Sequence, residues 1–379
     1  MNANPLRRLE SFGQSIWTDF ISREMIEGGG LQKLIRNDGV GGVTSNPSIF
    51  EKAIAESHDY DAAIRDLAGQ GRSVEQIYET LTVEDIQRTA DLLRPTYDRL
   101  AGMDGFVSLE VSPKLANDTD GTISEAKRLW KGVSRPNVMI KVPATKAGLP
   151  AIRQLIREGI NINITLLFGL ARYREVVEAY LGGLELRAAG GEKLQGISSV
   201  ASFFLSRIDT LVDPMLENEM RVDDPDVELA SSLRGQSAIA SAKLAYRDFS
   251  GLFGSERFRK LAGLGAQKQR LLWASTSTKN AKYSDVKYVE PLIGRETINT
   301  LPLETLNAYR DHGQPKLTLT KNVARSQKCT VNLKQLGFDL EKIAGRLEQE
   351  GVGKFNKSYD LLLTAIRQKA SEASVKGVA

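Results

Sequence analysis

Lys141 is the first residue in this sequence whose position suggests chemistry, because it is a charged amine inside an apolar, strand-like segment. Residues 138–145 have the sequence VMIKVPAT, and turn-forming residues bound them on both sides, which is typical of a buried strand. An ammonium is costly to bury, and a desolvated lysine that loses its proton can attack a carbonyl carbon. The segment therefore indicates either a Schiff-base lysine or a strand-end lysine that extends to water.

Two carboxylates occupy comparable positions in other strand-like segments. Glu110 lies within the sequence VSLEVS, and Asp19 follows the sequence IWT. Buried carboxylates are rarely unpaired, and carboxylates with shifted pKa values are typical of acid–base sites. Either one alone could form a structural salt bridge. Together with Lys141 they would supply the amine, acid and base that imine chemistry requires.

A third strand-like segment carries amides and a hydroxyl on one face. Asn161, Asn163 and Thr165 share one parity, and isoleucine and leucine residues share the other. The edge of a solvated sheet would give the same alternation. Buried parallel strands are normally apolar on both faces, so the pattern favours polar groups that point towards a site.

Composition excludes several other classes of function. The 379 residues are 41% hydrophobic and 26% charged, with a net charge of +4, which is typical of a globular protein and too weakly basic for a nucleic-acid-binding protein. We expect no membrane span and, because no apolar signal region follows the N-terminus, a cytoplasmic location. A single cysteine, Cys329, and two histidines, His58 and His312, favour neither a disulfide nor a metal site. We therefore expect no metal and no organic cofactor.

Eight strand-like segments alternate with helical patterns, which predicts a single (β/α)8 TIM barrel domain over residues 1–379. A doubly wound sheet is the structural alternative. The predicted strands are residues 16–20, 42–46, 105–112, 138–145, 161–168, 197–206, 270–275 and 287–293.

Three further regions lie outside this alternation. Residues 1–15 are predicted to form a helical lid over the bottom of the barrel. Residues 213–235, which include the acidic run at 223–226, are polar and predict an insertion or a long loop. Residues from about 337 onward show helical periodicity, so we expect extra C-terminal helices.

Five segments together resemble the signatures of the transaldolase family, in the same order along the chain. They are TSNPS at 44–48, SLEV at 108–111, IKVPAT at 140–145, GININITLLF at 159–168 and SFFLSRID at 202–209. The resemblance covers residues from about 10 to about 310. It implies a barrel enzyme that transfers a dihydroxyacetone unit from sedoheptulose 7-phosphate to glyceraldehyde 3-phosphate, so its expected partners are phosphorylated sugars.

The resemblance also implies roles for individual residues. Lys141 is similar to the lysine that forms the Schiff base with the ketose C2 carbonyl. Glu110, oriented by Thr165, is similar to the carboxylate that handles the water of imine formation. Asp19 matches the acid–base group that takes the proton of the C4 hydroxyl. Asn46 matches one of the amides that hold the dihydroxyacetone hydroxyls.

The remaining binding residues follow from the same comparison. Asn163 matches the second amide, with Ser202 beside it, and Arg207 matches the guanidinium that binds phosphate. The segment after the seventh strand departs from the family pattern, because many members have a second arginine where Lys279 is found here. We therefore expect Lys279 or the nearby Ser275 to assist Arg207, with weaker phosphate binding than an arginine would give. The longer chain resembles the longer bacterial subgroup.

Two other functions remain possible at this stage. A related aldolase releases free dihydroxyacetone, and in that subgroup a tyrosine commonly stands where Phe204 is found here. A phenyl ring keeps water away, so Phe204 favours transfer to an acceptor aldehyde. A non-catalytic phosphosugar-binding barrel would be expected to lack one of Lys141, Glu110 and Asp19. We expect a monomer or a homodimer.

Overall fold

The computed structural model describes residues 4–220 and 227–376, and its centre is a closed barrel of eight parallel strands. Each strand pairs with the next in sequence, and the last pairs with the first. The strands are β1 (Gln14–Thr18), β2 (Val40–Val43), β3 (Phe106–Glu110), β4 (Val138–Pro143), β5 (Ile162–Leu167), β6 (Ser199–Phe204), β7 (Arg270–Ala274) and β8 (Thr297–Leu301). The predicted TIM barrel is confirmed, and the doubly wound alternative is wrong.

Helices connect the strands and surround the barrel. They are α1 (Pro5–Ser11), α2 (Arg23–Glu27), α3 (Gly30–Lys33), α4 (Pro47–Ala55), α5 (Asp61–Gly69), α6 (Val74–Arg99), α7 (Thr119–Val133), α8 (Gly148–Arg157), α9 (Leu170–Ala189), α10 (Ser206–Glu219), α11 (Val227–Leu233), α12 (Ser237–Phe253), α13 (Glu256–Gly263), α14 (Leu303–His312), α15 (Val323–Gln335) and α16 (Leu340–Lys376). Within the described ranges, no helix combines the length and the apolar character that a bilayer crossing requires.

The eighth strand lies later in the chain than its prediction. Residues 287–293 contain a 3-10 turn, Glu290–Leu292, and the strand is Thr297–Leu301. The apolar residues that suggested a strand, Val289 and Ile293, pack instead into a second, smaller hydrophobic cluster with Leu6 of α1. That prediction was wrong because the apolar run serves this cluster and not the barrel wall.

The predicted N-terminal helix is present as α1. The Asn4 side chain accepts a hydrogen bond from the Leu6 backbone N–H, and Pro5 occupies the first helical position, where its missing N–H has no cost. Helix α1 packs against β1 and α14 through buried Leu6 and Leu9. It therefore lies beside the strand that it precedes, and residues 1–3 are outside the described residues.

Within the segment 213–235, predicted to be an insertion or a long loop, the described residues are largely helical. Helix α10 continues through Pro214 to Glu219, and α11 covers Val227–Leu233. Asp213 accepts hydrogen bonds from the backbone N–H of Gly235 at 2.7 Å and from the Tyr283 hydroxyl at 2.7 Å. These contacts close the segment against the barrel. The acidic run at 223–226 lies outside the described residues.

The predicted C-terminal helical region is confirmed and includes one long helix, α16. It packs on α4, α5 and α6 and also contacts β5 and α10. The Ser48 hydroxyl donates to that of Ser358 at 2.7 Å, and the Lys369 amine lies 2.6 Å from a carboxylate oxygen of Asp61. The helix thus crosses the barrel at the end where the strands finish, and it places buried Phe355 there.

Candidate active site

A cavity of about 300 Å³ opens at the carboxyl ends of the strands, where barrel enzymes place their active sites. Its wall comes from β4, β6, β7 and β8, from the loops after β1, β2, β7 and β8, and from helices α4, α10, α14 and α16. It is lined by Asp19, Thr44, Asn46, Ser48, Ile49, Lys52, Lys141, Ser202, Phe204, Arg207, Ala274, Ser275, Ser277, Lys279, Thr300, Pro302, Glu304 and Phe355. The lining thus includes eight of the eleven residues predicted from the sequence.

Lys141 is buried in β4 with its amine among acceptors. Its Nζ donates a hydrogen bond to the Ser45 backbone carbonyl at 3.0 Å and lies 3.2 Å from a Glu110 carboxylate oxygen. The two residues are paired in register on β3 and β4, so the sheet itself sets their separation. The Phe355 ring centroid is 5.9 Å from Nζ. The amine is therefore fixed in place and almost removed from water.

Glu110 lies beneath the cavity surface with Lys141 above it. Burial raises the pKa of the Glu110 carboxyl, and the neighbouring Lys141 ammonium opposes that shift. The Thr165 hydroxyl on β5 is buried and has no hydrogen-bond partner among the described residues. A protonatable carboxyl and an unpaired hydroxyl on adjacent sides of β4 can exchange a proton with a small polar group such as water.

Asp19 follows β1 and faces the cavity from the other side. Its carboxylate accepts a hydrogen bond from the Thr44 hydroxyl at 2.6 Å, and the Thr44 oxygen lies 2.7 Å from that of Thr300. Burial raises the pKa of Asp19, against the lowering influence of Lys141. The sequence analysis gave no role to either threonine. Thr300 had no usable signal because β8 was misplaced.

Asn46 and Asn163 make different use of their amides. The Asn46 carbonyl oxygen accepts from the backbone N–H of Ser48 and of Ile49 and so caps α4, which leaves its NH₂ group directed to the cavity lining. Asn163 is fully buried, where its NH₂ donates to the Ser108 hydroxyl at 2.9 Å and its oxygen accepts from Ser202 at 2.7 Å. Only Asn46 and Ser202 of this set reach the cavity.

Asn161 belongs to the opposite end of the barrel. Its NH₂ donates to the backbone carbonyls of Pro136 at 3.1 Å and Val138 at 3.2 Å, and its oxygen accepts from the Ser198 N–H at 2.8 Å. These bonds join the beginnings of neighbouring strands. The face shared by Asn161, Asn163 and Thr165 is therefore functional only at its far end, and the sequence pattern did not separate the two.

Arg207, at the start of α10, brings a guanidinium to the cavity without an anionic partner. It makes no hydrogen bond or ion pair with any described residue, and its Nη1 atom is buried. Its Cζ lies 5.5 Å from the Phe204 ring centroid and 5.8 Å from that of Phe355. Burial lowers its pKa, although Asp19 and Glu110 oppose that shift. An unpaired, half-buried guanidinium suits an anionic ligand.

The other residues predicted to bind phosphate lie at the rim. Ser275 has a left-handed φ of 54°, and its hydroxyl lies 2.8 Å from that of Ser206. Lys279 is exposed, as is Lys52 of α4, a second rim lysine that the sequence analysis did not single out. The rim therefore carries two lysines, with exposed Glu304 as an acidic residue in the same lining. In the described part of the chain, no cluster of three or more histidine, cysteine or acidic side chains could hold a metal ion.

Phe355 is the functional residue that was hardest to find from sequence. It lies in a helix far beyond the recognised motifs, and one apolar residue at helical spacing predicts only a core position. In the structure its ring contacts both Lys141 and Arg207. Phe355 therefore lies beside both the Lys141 amine and the Arg207 guanidinium in the cavity wall.

The sequence also matches a known protein family over most of its length. Residues 16–366 match the family described as transaldolase/fructose-6-phosphate aldolase. The chain belongs to this family. The match to the transaldolase/fructose-6-phosphate aldolase family extends from β1 into α16, so it includes both the barrel and the long helix over the cavity.

Individual members of the family are similar over almost their full length. A transaldolase of Saccharopolyspora erythraea is 46% identical over 373 residues, which is 98% of this chain and 99% of that protein. A transaldolase of Thiobacillus denitrificans is 48% identical over 363 residues, covering 96% and 99%. Transaldolase 1 of Streptomyces coelicolor is 45% identical over 376 residues, covering 99% and 97%.

Proposed function

We propose that this chain is a transaldolase that moves a dihydroxyacetone unit from sedoheptulose 7-phosphate to glyceraldehyde 3-phosphate through an imine on Lys141. The products are erythrose 4-phosphate and fructose 6-phosphate. The observation that carries the proposal is the buried pair of Lys141 and Glu110, 3.2 Å apart, at the base of a cavity with an unpaired guanidinium. Full-length similarity to several transaldolases supports the same reaction.

Imine formation is assigned to Lys141, Glu110 and Thr165. The Lys141 amine attacks the C2 carbonyl, and the carbinolamine then loses its hydroxyl as water. Glu110 gives the proton that this water needs, a role that its raised pKa supports. The unpaired Thr165 hydroxyl orients the departing water. The same two groups return the water when the imine is hydrolysed.

Cleavage of the carbon chain is assigned to Asp19. Its carboxylate takes the proton of the C4 hydroxyl, the C3–C4 bond breaks, and the electron pair moves into the protonated imine. The aldehyde product leaves, and the three-carbon enamine stays on Lys141 until the acceptor aldehyde binds and the steps reverse. Because the protonated imine accepts the electrons, these steps need no metal. The hydrogen bond from Thr44 at 2.6 Å supports Asp19 as a positioned base.

Binding of the donor is divided between amides and cations. We assign the C1 and C3 hydroxyls to Asn46 and Ser202, supported from beneath by Asn163. The distance of 2.7 Å between Ser202 and Asn163 supports this arrangement. Arg207 binds the phosphate, with Ser275 and Lys279 assisting from the rim.

The competing aldolase reaction, which releases free dihydroxyacetone, depends on water reaching the enamine. Phe204 is 6% exposed and its ring packs 5.2 Å from that of Phe168, so this corner of the cavity is apolar. An apolar corner favours an acceptor aldehyde over water. The third possibility, a non-catalytic barrel, is disfavoured because Lys141, Glu110 and Asp19 are all present and converge.

The test is reduction with borohydride in the presence of fructose 6-phosphate, followed by mass-spectrometric mapping of the modified lysine. We expect one adduct, on Lys141. An adduct on exposed Lys146 or Lys114 would contradict the assignment. Incubation of fructose 6-phosphate with erythrose 4-phosphate should give sedoheptulose 7-phosphate, and release of free dihydroxyacetone in its place would favour the aldolase.

We also infer a cytoplasmic enzyme that works as a monomer or a homodimer. The phosphorylated substrates of the proposed reaction and the composition of the chain support a cytoplasmic location. Cys329, the single cysteine, is a free buried thiol, which suits a reducing compartment. Light scattering coupled to gel filtration distinguishes the two assembly states.

A further inference from the structure

The Arg207 guanidinium is not held by a hydrogen bond or an ion pair to any described residue, and its Nη1 atom is buried. An arginine side chain loses considerable rotamer freedom when it is ordered. Something other than polar contacts must therefore hold this side chain in place before an anion binds.

Helix α16 provides contacts at the required place. The Phe355 ring lies 5.8 Å from the Arg207 Cζ, within the range of a cation–π contact. One turn earlier, Gly351 is buried, and a Cβ atom at that position would be 3.6 Å from Arg207 Nη1 and 2.9 Å from Leu166 Cδ2. The missing side chain of Gly351 leaves space for Leu166, and Arg207 Nη1 lies at van der Waals distance from the same position.

The position of α16 is itself fixed by contacts elsewhere. Ser358 bonds to Ser48 on α4, and Lys369 bonds to Asp61 on α5. Leu166 is held from the barrel side, because it takes a left-handed φ of 57° where the register of β5 with β6 shifts. A methyl group at position 351 would therefore require the Leu166 side chain to shift and would lie in contact with Arg207 Nη1.

We propose that Gly351 and Phe355 of α16 are positioning residues for phosphate recognition, which together form a seat that holds the Arg207 guanidinium in its binding orientation. The inference rests on the proposed function, in which Arg207 binds the phosphate. It adds that phosphate affinity is set by the C-terminal helix as well as by the barrel. The contacts with Gly351 and Phe355 use none of the guanidinium N–H groups, so all of them remain free to donate hydrogen bonds to the anion.

The test compares Gly351→Ala with Gly353→Ala. Gly353 lies in the same stretch of α16, is exposed, and has nothing within 4 Å of a Cβ atom. Both changes add one methyl group and the same gain in helix propensity, so only the contact with Arg207 and Leu166 differs. The measurements are KM for fructose 6-phosphate, competitive inhibition by inorganic phosphate, borohydride trapping with unphosphorylated dihydroxyacetone, and thermal unfolding.

We expect Gly351→Ala to raise KM for fructose 6-phosphate and to weaken phosphate inhibition by roughly 3- to 30-fold. This is smaller than the effect of losing a charge-assisted hydrogen bond completely, because the guanidinium is displaced and not removed. Trapping with dihydroxyacetone should be unchanged. Gly353→Ala should stay within about twofold of the unmodified protein. In an Arg207→Ala background, Gly351→Ala should add no further loss, because its effect is exerted through the guanidinium.

Several results would overturn the proposal. The first is the same KM and the same phosphate inhibition in Gly351→Ala and Gly353→Ala. The second is a loss of phosphate affinity from Gly351→Ala that adds in full to that of Arg207→Ala. The third is a fall in dihydroxyacetone trapping as large as the loss of phosphate inhibition, which would place the effect on β5. If Gly351→Ala does not fold, Phe355→Leu removes the ring with little change of volume and should still weaken phosphate inhibition. Unchanged inhibition in Arg207→Ala itself would overturn the phosphate role in the proposed function together with the seat, whereas a loss there with none in Gly351→Ala would overturn the seat alone.

Discussion

The two ends of the barrel both bury polar and charged side chains, but they satisfy them differently. At the end where the strands begin, Asp104 accepts a hydrogen bond from the Trp17 indole at 2.7 Å and lies 3.7 Å from Arg270. Asn137 at this end donates to the carbonyls of Ala90 and Gly105. The charged groups there are paired, although the side-chain oxygens of Gln14, Asn137 and Gln269 have no hydrogen-bond partner among the described residues.

At the end where the strands finish, the polar groups remain available. The Thr165 hydroxyl and Arg207 Nη1 are buried without hydrogen-bond partners among the described residues, and burial raises the pKa of both Asp19 and Glu110. Buried polarity alone therefore does not identify a site in this barrel. Buried atoms without hydrogen-bond partners do not identify it alone either, because Gln14, Asn137 and Gln269 carry such atoms at the other end. The end where the strands finish differs because its unpartnered groups lie with a cavity and with two carboxyls whose pKa is raised.

The largest expected effect is the loss of the nucleophile. Lys141→Ala should abolish transfer activity and borohydride trapping, since no other amine in residues 4–220 and 227–376 forms an ion pair with Glu110, and circular dichroism should show an intact fold. Lys146→Ala is the matched control, because Lys146 follows the same strand but is exposed. If borohydride trapping persisted in Lys141→Ala, another lysine would form the imine, and Lys141 would be only a buried structural residue.

The next effect separates the two carboxylates. Loss of a positioned acid or base typically costs about 10²–10⁴ in rate. Asp19→Asn should slow cleavage while trapped imine still accumulates, and Glu110→Gln should slow imine formation and hydrolysis. Rapid-quench trapping measures both steps. The same defect in the same step for both variants would show that the roles are not divided.

A substitution at the other end should affect stability and not catalysis. Asp104→Ala removes a buried partner of Trp17 and Arg270, and we expect the free energy of unfolding to fall by about 3 kcal/mol. At 25 °C, kcat/KM should not change. Urea unfolding and a steady-state assay give the two values. A large fall in kcat/KM of folded protein would couple the two ends.

Phosphate recognition should give a smaller, substrate-dependent effect. Arg207→Ala should raise KM for phosphorylated donors by roughly 10- to 150-fold, with little effect on unphosphorylated dihydroxyacetone donors. Lys279→Ala should show the same preference more weakly, because Lys279 is exposed and its ammonium gives no bidentate geometry. Equal losses on both kinds of donor would make Arg207 structural.

The smallest effect concerns the stability that the protein loses by burying the Asp19 carboxylate. A carboxyl whose pKa is raised by folding stabilises the protein fully only below its unfolded pKa, and this contribution is lost as pH rises through the folded pKa. Ionised Asp19 is therefore unfavourable at neutral pH. Asp19→Asn should raise Tm at pH 7, and the gain should vanish under acidic conditions. A lower Tm at pH 7 would show that Asp19 also stabilises the fold.

The sequence predicted the barrel and the centre of the site because both depend on short, local patterns. Lys141, Glu110 and Asp19 interrupt or end apolar runs, and alternation within a strand determines which side chains point inward. The eighth strand failed for the opposite reason. Three of the five residues of Thr297–Leu301 are polar, while the apolar run before it packs on α1.

The parts of the site that could not be predicted arise from contacts between distant segments. Ser45 contributes a backbone carbonyl to Lys141, and a carbonyl has no sequence signature. Phe355 and Gly351 contribute a ring and a space whose importance depends on where α16 crosses the barrel. The alternation of polar and apolar residues could not separate Asn161 from Asn163 either. The two differ only in the residues of adjacent strands that surround them, and the sequence pattern does not show these.

The crossing of α16 also has a consequence for how the enzyme is made. Chains leave the ribosome from the N-terminus at about 5–20 residues per second, so Asp19 and Lys141 emerge long before Phe355. A nascent barrel that has formed β1 to β8 before α16 emerges would hold Lys141 in a cleft that lacks the Phe355 wall. If the proposed seat for Arg207 is correct, we expect competence towards phosphorylated sugars to begin only after α16 has been synthesised and has docked, late in translation.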